Sequence, residues 1–353
     1  MSDDKINVIG LMSGTSLDGL DLVYVSFDEN SFKNFQIQYS ETKSYSKLWK
    51  EKLTKAIDKS AEELLELDLE YGKLLAQKVN DFMIENTILD IDFISSHGHT
   101  ILHQPEKGIT LQIGNGQIIA NETQQKVVCD FRTQDVKLGG QGAPLVPIGD
   151  AFLFSQYDAC LNLGGFANVS FKEKNKRIAF DICPVNIVLN YYVNKLGFEY
   201  DDKGKIASTG KINIELLQEL NQLKFYKKNH PKSLGLEWVQ STIFPLIDKM
   251  NIEIEDILRT FIEHVAIQIT NSTKKCKNLF ITGGGVFNKF LLKRVEHHSN
   301  LEIIIPNFQI INYKEALIFA FLGALRVDNQ VNCLKSVTGA SKNHSSGKIF
   351  TPK

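Results

Sequence analysis

The chain has 353 residues, enough for two domains of ordinary size and too many for one typical core. Its 43% apolar and 23% charged residues exclude a disordered or fibrous protein, and 40 Lys plus Arg against 41 Asp plus Glu leave no field that favours nucleic acid or an anionic membrane. Any anionic ligand must be held by local geometry.

Residues 8–25, VIGLMSGTSLDGLDLVYV, place two apolar runs around Ser13-Gly14-Thr15-Ser16 and Asp18-Gly19, which predicts two strands joined by a glycine-bearing turn. Small residues let a backbone approach closely, and hydroxyl and N–H groups suit a phosphate, although the same residues also make an ordinary hairpin. Polar residues from Ser13 onward break the apolar run, so the start does not read as a signal peptide. No later run approaches the roughly 20 residues of a membrane span, and a cytoplasmic location is expected.

A third strand is expected over 35–42. Ser60-Ala61-Glu62-Glu63 has the form of a capping box, and Leu64, Leu67, Tyr71, Leu75, Val79 and Phe82 then recur as one face of a long helix. A strand over 93–96 ends in His97-Gly98-His99-Thr100, strand-like stretches follow at 110–113 and 127–129, and 139–144 is a glycine-rich loop. His97, His99 and His103 have no nearby cysteine or carboxylate to complete a metal set, and read better as hydrogen-bonding groups.

The opening plan repeats at 159–171, an apolar run, the turn Gly164-Gly165, and a second apolar run. A strand over 177–181 delivers Asp181 at its end, and a helix is expected from Pro184 to Leu196; Asp181 is either that helix's cap or a functional carboxylate. Residues 254–269 mark another amphipathic helix. A strand over 278–282 enters Gly283-Gly284-Gly285, and a helix begins near Asn288. A strand over 301–306 precedes a very apolar helix over 313–327, in which Glu315 is either a dipole partner or a ligand contact. Residues 342–353 read as a loose tail. Five scattered cysteines without a C-x-x-C pair predict free thiols, with neither a disulfide framework nor a zinc cluster; Cys183, lacking a paired base, reads as buried filler.

Strands alternating with helices, with a repeated hairpin, predict an α/β protein with mixed sheets in two similar halves. The expected division is 1–140, with about 335–353 returning to it, and 141–334. Three glycine turns, each after a strand, fit a nucleotide held by backbone amides between two lobes. This arrangement resembles the superfamily of actin, the sugar kinases and the heat-shock chaperone ATPases, which implies a two-lobed actin-like ATPase (ribonuclease H-like) fold with a central cleft. The ATP contacts so implied are Gly10, Ser13, Gly14, Thr15, Ser16 and Asp18 on the first turn, Gly164 and Gly165 on the second, and Gly283, Gly284 and Gly285 on the third.

The residues Gly10-Leu11-Met12-Ser13-Gly14-Thr15-Ser16-Leu17-Asp18-Gly19, Ser96-His97-Gly98, His103-Gln104-Pro105, Asp130-Phe131-Arg132, Asn162-Leu163-Gly164-Gly165, Phe180-Asp181, Pro231-Lys232-Ser233 and Glu315-Ala316 resemble the bacterial anhydro-N-acetylmuramic acid kinases, over about residues 7–341. The resemblance implies a kinase that uses ATP and water to open a 1,6-anhydro amino sugar and phosphorylate its 6-oxygen, giving N-acetylmuramic acid 6-phosphate in cell-wall recycling. It implies Asp181 as the base, Thr100, Arg132 and Glu315 as sugar contacts, Mg2+ bridging the phosphates through water near Asp18 or Asp181, and a homodimer. Where the family pattern reads Phe-Asp-Thr-Gly-Pro-Gly-Asn, this chain has Phe180-Asp181-Ile182-Cys183-Pro184-Val185-Asn186, and Thr133 and Gln134 replace arginines. The retained Asp181, Arg132 and Glu315 favour a diverged active enzyme; the alternative is a chaperone-like or catalytically altered ATP-binding switch.

Overall fold

A computed structural model describes residues 5–14, 16–28 and 32–353. Its strands are β1 (Lys5–Ser13), β2 (Gly19–Asp28), β3 (Phe35–Ser44), β4 (Phe93–Gln104), β5 (Ile109–Ile113), β6 (Val127–Cys129), β7 (Ala159–Leu163), β8 (Phe166–Glu173), β9 (Lys176–Pro184), β10 (Asn278–Thr282), β11 (Glu302–Ile304) and β12 (Lys348–Phe350). The helices that matter below are α1 (Ala61–Glu85), α2 (Gly116–Thr123), α3 (Thr133–Lys137), α4 (Val146–Leu153), α5 (Asn186–Asn194), α6 (Ile254–Thr273), α7 (Lys289–His298) and α8 (Phe308–Val327). No helix of the described residues is long and apolar enough to cross a membrane.

The chain divides into two compact units, Met1–Leu153 with Tyr313–Lys353, and Phe154–Asn312. Residues 141–153 and 313–334 thus group with the first unit, whereas the sequence reading assigns them to the second lobe. The reason is packing that sequence spacing does not show. A Cβ on Gly149 of α4 would lie 2.5 Å from Ile318 of α8, and one on Gly10 of β1 would lie 2.3 Å from the Ala316 carbonyl. Buried Lys314 and Asp150 pair at 2.6 Å between the same two helices.

In the first unit β1 and β2 form the expected hairpin, β3 adds antiparallel to β2, and β4 runs parallel to β1, giving the order β12-β6-β4-β1-β2-β3 with β5 on β4. Strand alternation puts successive side chains on opposite faces. Ile9 and Leu11 accordingly join Leu75, Val79 and Phe82 of α1 in one core, while Gly10 gives the other face room for α8. The Ser60 capping box holds the start of α1 as expected. His97 to Thr100 do not end a strand but continue it, because β5 pairs with that half of β4. The segment after residue 342 is not a loose tail: β12 pairs antiparallel with β6, Phe350 packs against α2 at Gly116, and Cys333 bridges His344.

The second unit repeats the plan, with β7, β8 and β9 antiparallel, β10 parallel to β7, and β11 parallel to β10. The order β9-β8-β7-β10-β11 matches β3-β2-β1-β4-β6 strand for strand, which makes the repeated hairpin a repeated sheet. This doubled sheet is the α/β, actin-like ATPase (ribonuclease H-like) fold. Its core joins Leu161 and Leu163 of β7 with Phe261, Val265 and Ile269 of α6 and Leu291 and Val295 of α7.

Glu263 on α6 is buried in this unit and accepts from Arg259 at 2.8 Å, from Arg294 twice at 2.8 Å, and pairs with His298 at 2.6 Å. Burial opposes the charge, but Arg294, His298 and Arg259 outweigh it and hold the carboxyl at about 2. Its stabilisation is therefore present above the ordinary value of 4.5 and is lost as pH falls towards about 2. Glu263→Gln leaves the cations without their counter-charge and is expected to cost about 3–5 kcal/mol in urea unfolding at neutral pH, with the gap between the proteins narrowing in acid.

Candidate active site

The first turn, between β1 and β2, has Gly14 at a place where an added Cβ meets nothing closer than the Ser16 hydroxyl at 3.6 Å. Ser16 and Asp18 are exposed beside it, and Leu17 takes a left-handed φ of 60°. Thr15 lies outside the described residues. Ser13 differs from its neighbours, because its side chain is 2% exposed and is used internally. Tyr45 donates to Ser13 Oγ at 2.7 Å, the Tyr45 and Tyr71 hydroxyls meet at 2.6 Å, and Ser13 Oγ meets His99 Nδ1 at 2.9 Å. Burial lowers His99 to about 4, so the ring is neutral and shares one proton with Ser13 across this contact. Removing the hydroxyl strands a buried donor. Ser13→Ala is expected to cost about 1–3 kcal/mol in thermal unfolding while ATP affinity, measured by calorimetry, falls by less than about tenfold. A larger loss would place the hydroxyl itself on the nucleotide.

The glycines of the three turns fall into two groups. Beside Gly14, Gly164, Gly165 and Gly284 an added Cβ finds open space or ordinary contact, with nearest atoms at 3.6, 3.7 and 3.8 Å for the first three and nothing within 4 Å for Gly284. These are positions where a ligand can come against backbone. Gly10, Gly283 and Gly285 are instead filled by the protein: a Cβ on Gly283, whose φ is +86°, would lie 2.4 Å from Asn162 Oδ1, and one on Gly285 would lie 2.6 Å from Leu163. On the second turn the carbonyls of Gly164 and Gly165 accept from Asn186, Val185 and Ile187, satisfying donors at the start of α5. Asn288 caps α7 by accepting from Leu291 at 2.9 Å, one residue from the expected start of that helix.

Asp181 lies on β9 opposite Asn168 of β8. Its Oδ2 accepts from the Leu234 N–H at 2.8 Å, and its own N–H donates to the Lys232 carbonyl at 3.1 Å, so the segment 231–235 is laid against β9 at Asp181, which lies within the strand and not at its end as expected. The residue capping α5 is Val185, which excludes the helix-cap role for Asp181. Among the described residues no donor reaches Asp181 Oδ1. Burial raises its carboxyl above the usual 3.8, with the Leu234 bond opposing. Leu234 also lines a pocket of about 510 Å³ with Phe225, Ser233 and Trp238. Cys183 is fully buried and its thiol is pushed up by that burial, so it is the inert filler expected.

In the first unit Arg132 donates through Nε and Nη2 to His97 Nε2 at 3.0 and 2.8 Å, and through Nη1 to the Gly142 carbonyl at 2.7 Å. His97 donates from Nδ1 to the Gly98 carbonyl at 2.9 Å, which fixes its tautomer. Burial, then the Arg132 charge, holds His97 well below the ordinary imidazole range, so it is a neutral acceptor that aims the guanidinium. Burial lowers Arg132 to about 10 and raises Glu315, each opposing the other's shift. One N–H on each Arg132 Nη is left over, a pair that suits a carboxylate. Glu315 falls in the interior of α8, which begins at Phe308 and not near 313, so a role as first-turn dipole partner is excluded. Thr100 sits on β4 and accepts from Gln112 at 3.4 Å; among the described residues no hydrogen bond joins it to Arg132. His97 as the support of Arg132 was not legible in the sequence, because both its nitrogens are assigned by partners 1 and 35 residues away. Asp21 was missed as well: it accepts from Thr42 at 2.6 Å and its charge acts on Glu315.

A doubled sheet with a glycine turn at each hairpin is the actin-like fold, and a full-length match to a kinase family makes the chain an ATP-dependent sugar kinase. The chain belongs to the anhydro-N-acetylmuramic acid kinase family, whose model matches residues 6–352. It is 36% identical over 372 residues to the anhydro-N-acetylmuramic acid kinase of Saccharophagus degradans, covering 98% of each chain. It is 35% identical over 376 residues to that of Haemophilus influenzae, covering 97% of each. A solved structure of similar chain path is component A of the Acidaminococcus fermentans (R)-2-hydroxyglutaryl-CoA dehydratase, at 13% identity, 90% of this chain, 99% of that one and a TM-score of 0.47.

Proposed function

We propose that this kinase uses ATP and water to open 1,6-anhydro-N-acetylmuramic acid and transfers the γ-phosphoryl group to the released 6-oxygen. Water adds to C1, the C1–O6 bond breaks, O6 attacks phosphorus, and the products are ADP and N-acetylmuramic acid 6-phosphate. The observation that carries this reading is Asp181, held by one oxygen from Leu234 at 2.8 Å and raised by burial. A carboxylate so raised is a better acceptor for the proton of the attacking water than an exposed one. Arg132, Glu315 and Thr100 are the groups assigned to the sugar, with Arg132 on its carboxylate.

The turns at Gly14, Gly164 and Gly284 are assigned to the nucleotide because open backbone is what phosphates approach there. Asp18, exposed on its turn, or Asp181, with one oxygen open, would hold Mg2+ through water, and the cation when bound neutralises phosphate charge. Incubation with ATP and 1,6-anhydro-N-acetylmuramic acid, followed by mass spectrometry, tests the reading. A product heavier than the sugar by phosphate and water is expected. ATP hydrolysis without any change in the sugar would leave only a nucleotide-driven switch.

A further inference from the structure

From the sequence no zinc cluster is expected, since the five cysteines are scattered and form no C-x-x-C pair. The fold brings three candidate ligands together from afar. Asp135 of α3, Cys333 and His344 are all buried, and one ligand atom of each lies within 4.8 Å of the other two. His344 is 5% exposed and donates from Nδ1 to the Lys342 carbonyl at 3.2 Å. In the neutral ring Nε2 is then a lone pair. That nitrogen makes no hydrogen bond and faces Asp135 Oδ1 at 3.5 Å. A buried lone pair aimed at a carboxylate is repulsive unless something positive lies between them.

We propose that Asp135, Cys333 and His344 form a structural site for a thiophilic divalent cation of the zinc class, fastening the C-terminal segment to α3. Bonds of about 2.0–2.3 Å to a tetrahedral cation set its ligand atoms about 3.3–3.8 Å apart, so the 3.5 Å separation needs almost no adjustment. Imidazole, thiolate and carboxylate together are the donor set of zinc, not of Mg2+. Burial pushes the Cys333 thiol up to about 12. Ligation breaks its S–H bond, forms the S–metal bond and releases the proton to solvent. The fourth position falls to a water or to the Ser346 hydroxyl, which already pairs with the thiol.

The site reaches the proposed sugar contacts through Asp135. Its Oδ2 accepts from the Gly142 N–H at 2.7 Å, its backbone carbonyl accepts from Gly140 at 2.9 Å, and Thr338 donates to Oδ1 at 2.7 Å. The Gly142 carbonyl is the acceptor of Arg132 Nη1. Fixing Asp135 thus fixes the loop on which Arg132 rests.

The test is metal content of the full chain, purified without a metal-affinity step and dialysed against Zn2+ and then buffer, with cobalt substitution as a second measurement. About one zinc per chain is expected, together with the thiolate charge-transfer band of a tetrahedral Co2+ centre. Cys333→Ser is expected to remove that band and weaken zinc binding at least about tenfold. Zinc no higher than in Cys333→Ser, or a cobalt complex of the unaltered chain without the thiolate band, would overturn the proposal. If both ring N–H protons of His344 are then seen by NMR, the positive charge in the site is the proton of an imidazolium. None of these readouts depends on kinase activity.

Discussion

Asp181→Asn is expected to abolish turnover while ATP continues to bind. The amide has the shape of the carboxylate and accepts the Leu234 N–H at the same oxygen, so β9 and the segment 231–235 keep their places. What it lacks is a lone pair basic enough to take a proton. General-base catalysis contributes about 10²–10⁴ in rate, and a fall of that size in kcat with an unchanged calorimetric affinity for ATP is the expected pattern. The pH profile adds a sign. Burial raises the Asp181 carboxyl above 3.8, and the base works only when ionised, so the acid limb of kcat/KM is displaced to higher pH than an ordinary aspartate gives. The limb should vanish in any residual activity of the variant. Product formation at the unaltered rate would remove Asp181 from the base role.

Local chemistry made much of this fold legible. The capping box at Ser60, the apolar face from Leu64 to Phe82 and both hairpins are written within a few residues of themselves, and each occurs where the pattern places it. What stayed hidden depends on contacts far apart in sequence. Lys348 to Phe350 is a strand only because β6 lies beside it, and three residues carry no periodicity. The glycine turns show the same limit within the candidate site. Gly10 and Gly14 belong to one motif and look alike, yet the first is enclosed by α8 and the second is open, a difference set by residues 316 and 320. In the same way the motif offers the Ser13 hydroxyl to a ligand but does not show that Tyr45 and His99 also use it.

Arg132 is where stability and recognition can be separated experimentally. Arg132→Ala removes the donors to His97 and Gly142 and the charge that opposes the upward shift of Glu315, so Glu315 moves still further towards its neutral form. Removing the guanidinium leaves the buried His97 Nε2 and Gly142 carbonyl without their donor, at about 1–3 kcal/mol each. A marked loss of urea stability is therefore expected from the alanine variant. Arg132→Lys retains the charge beside Glu315 but replaces a planar fork by a single ammonium group. Its stability should lie close to that of the unaltered chain. It cannot, however, hold His97 and Gly142 and also present two N–H groups to a substrate carboxylate. Loss of such a charged contact is worth about 2–5 kcal/mol, which is roughly 30-fold or more in kcat/KM for the anhydro sugar. Because the contact is made in both ground and transition states, the loss should appear mainly in KM. A lysine variant that keeps its KM would mean that Arg132 serves the loop and His97 alone, with the sugar held by other groups.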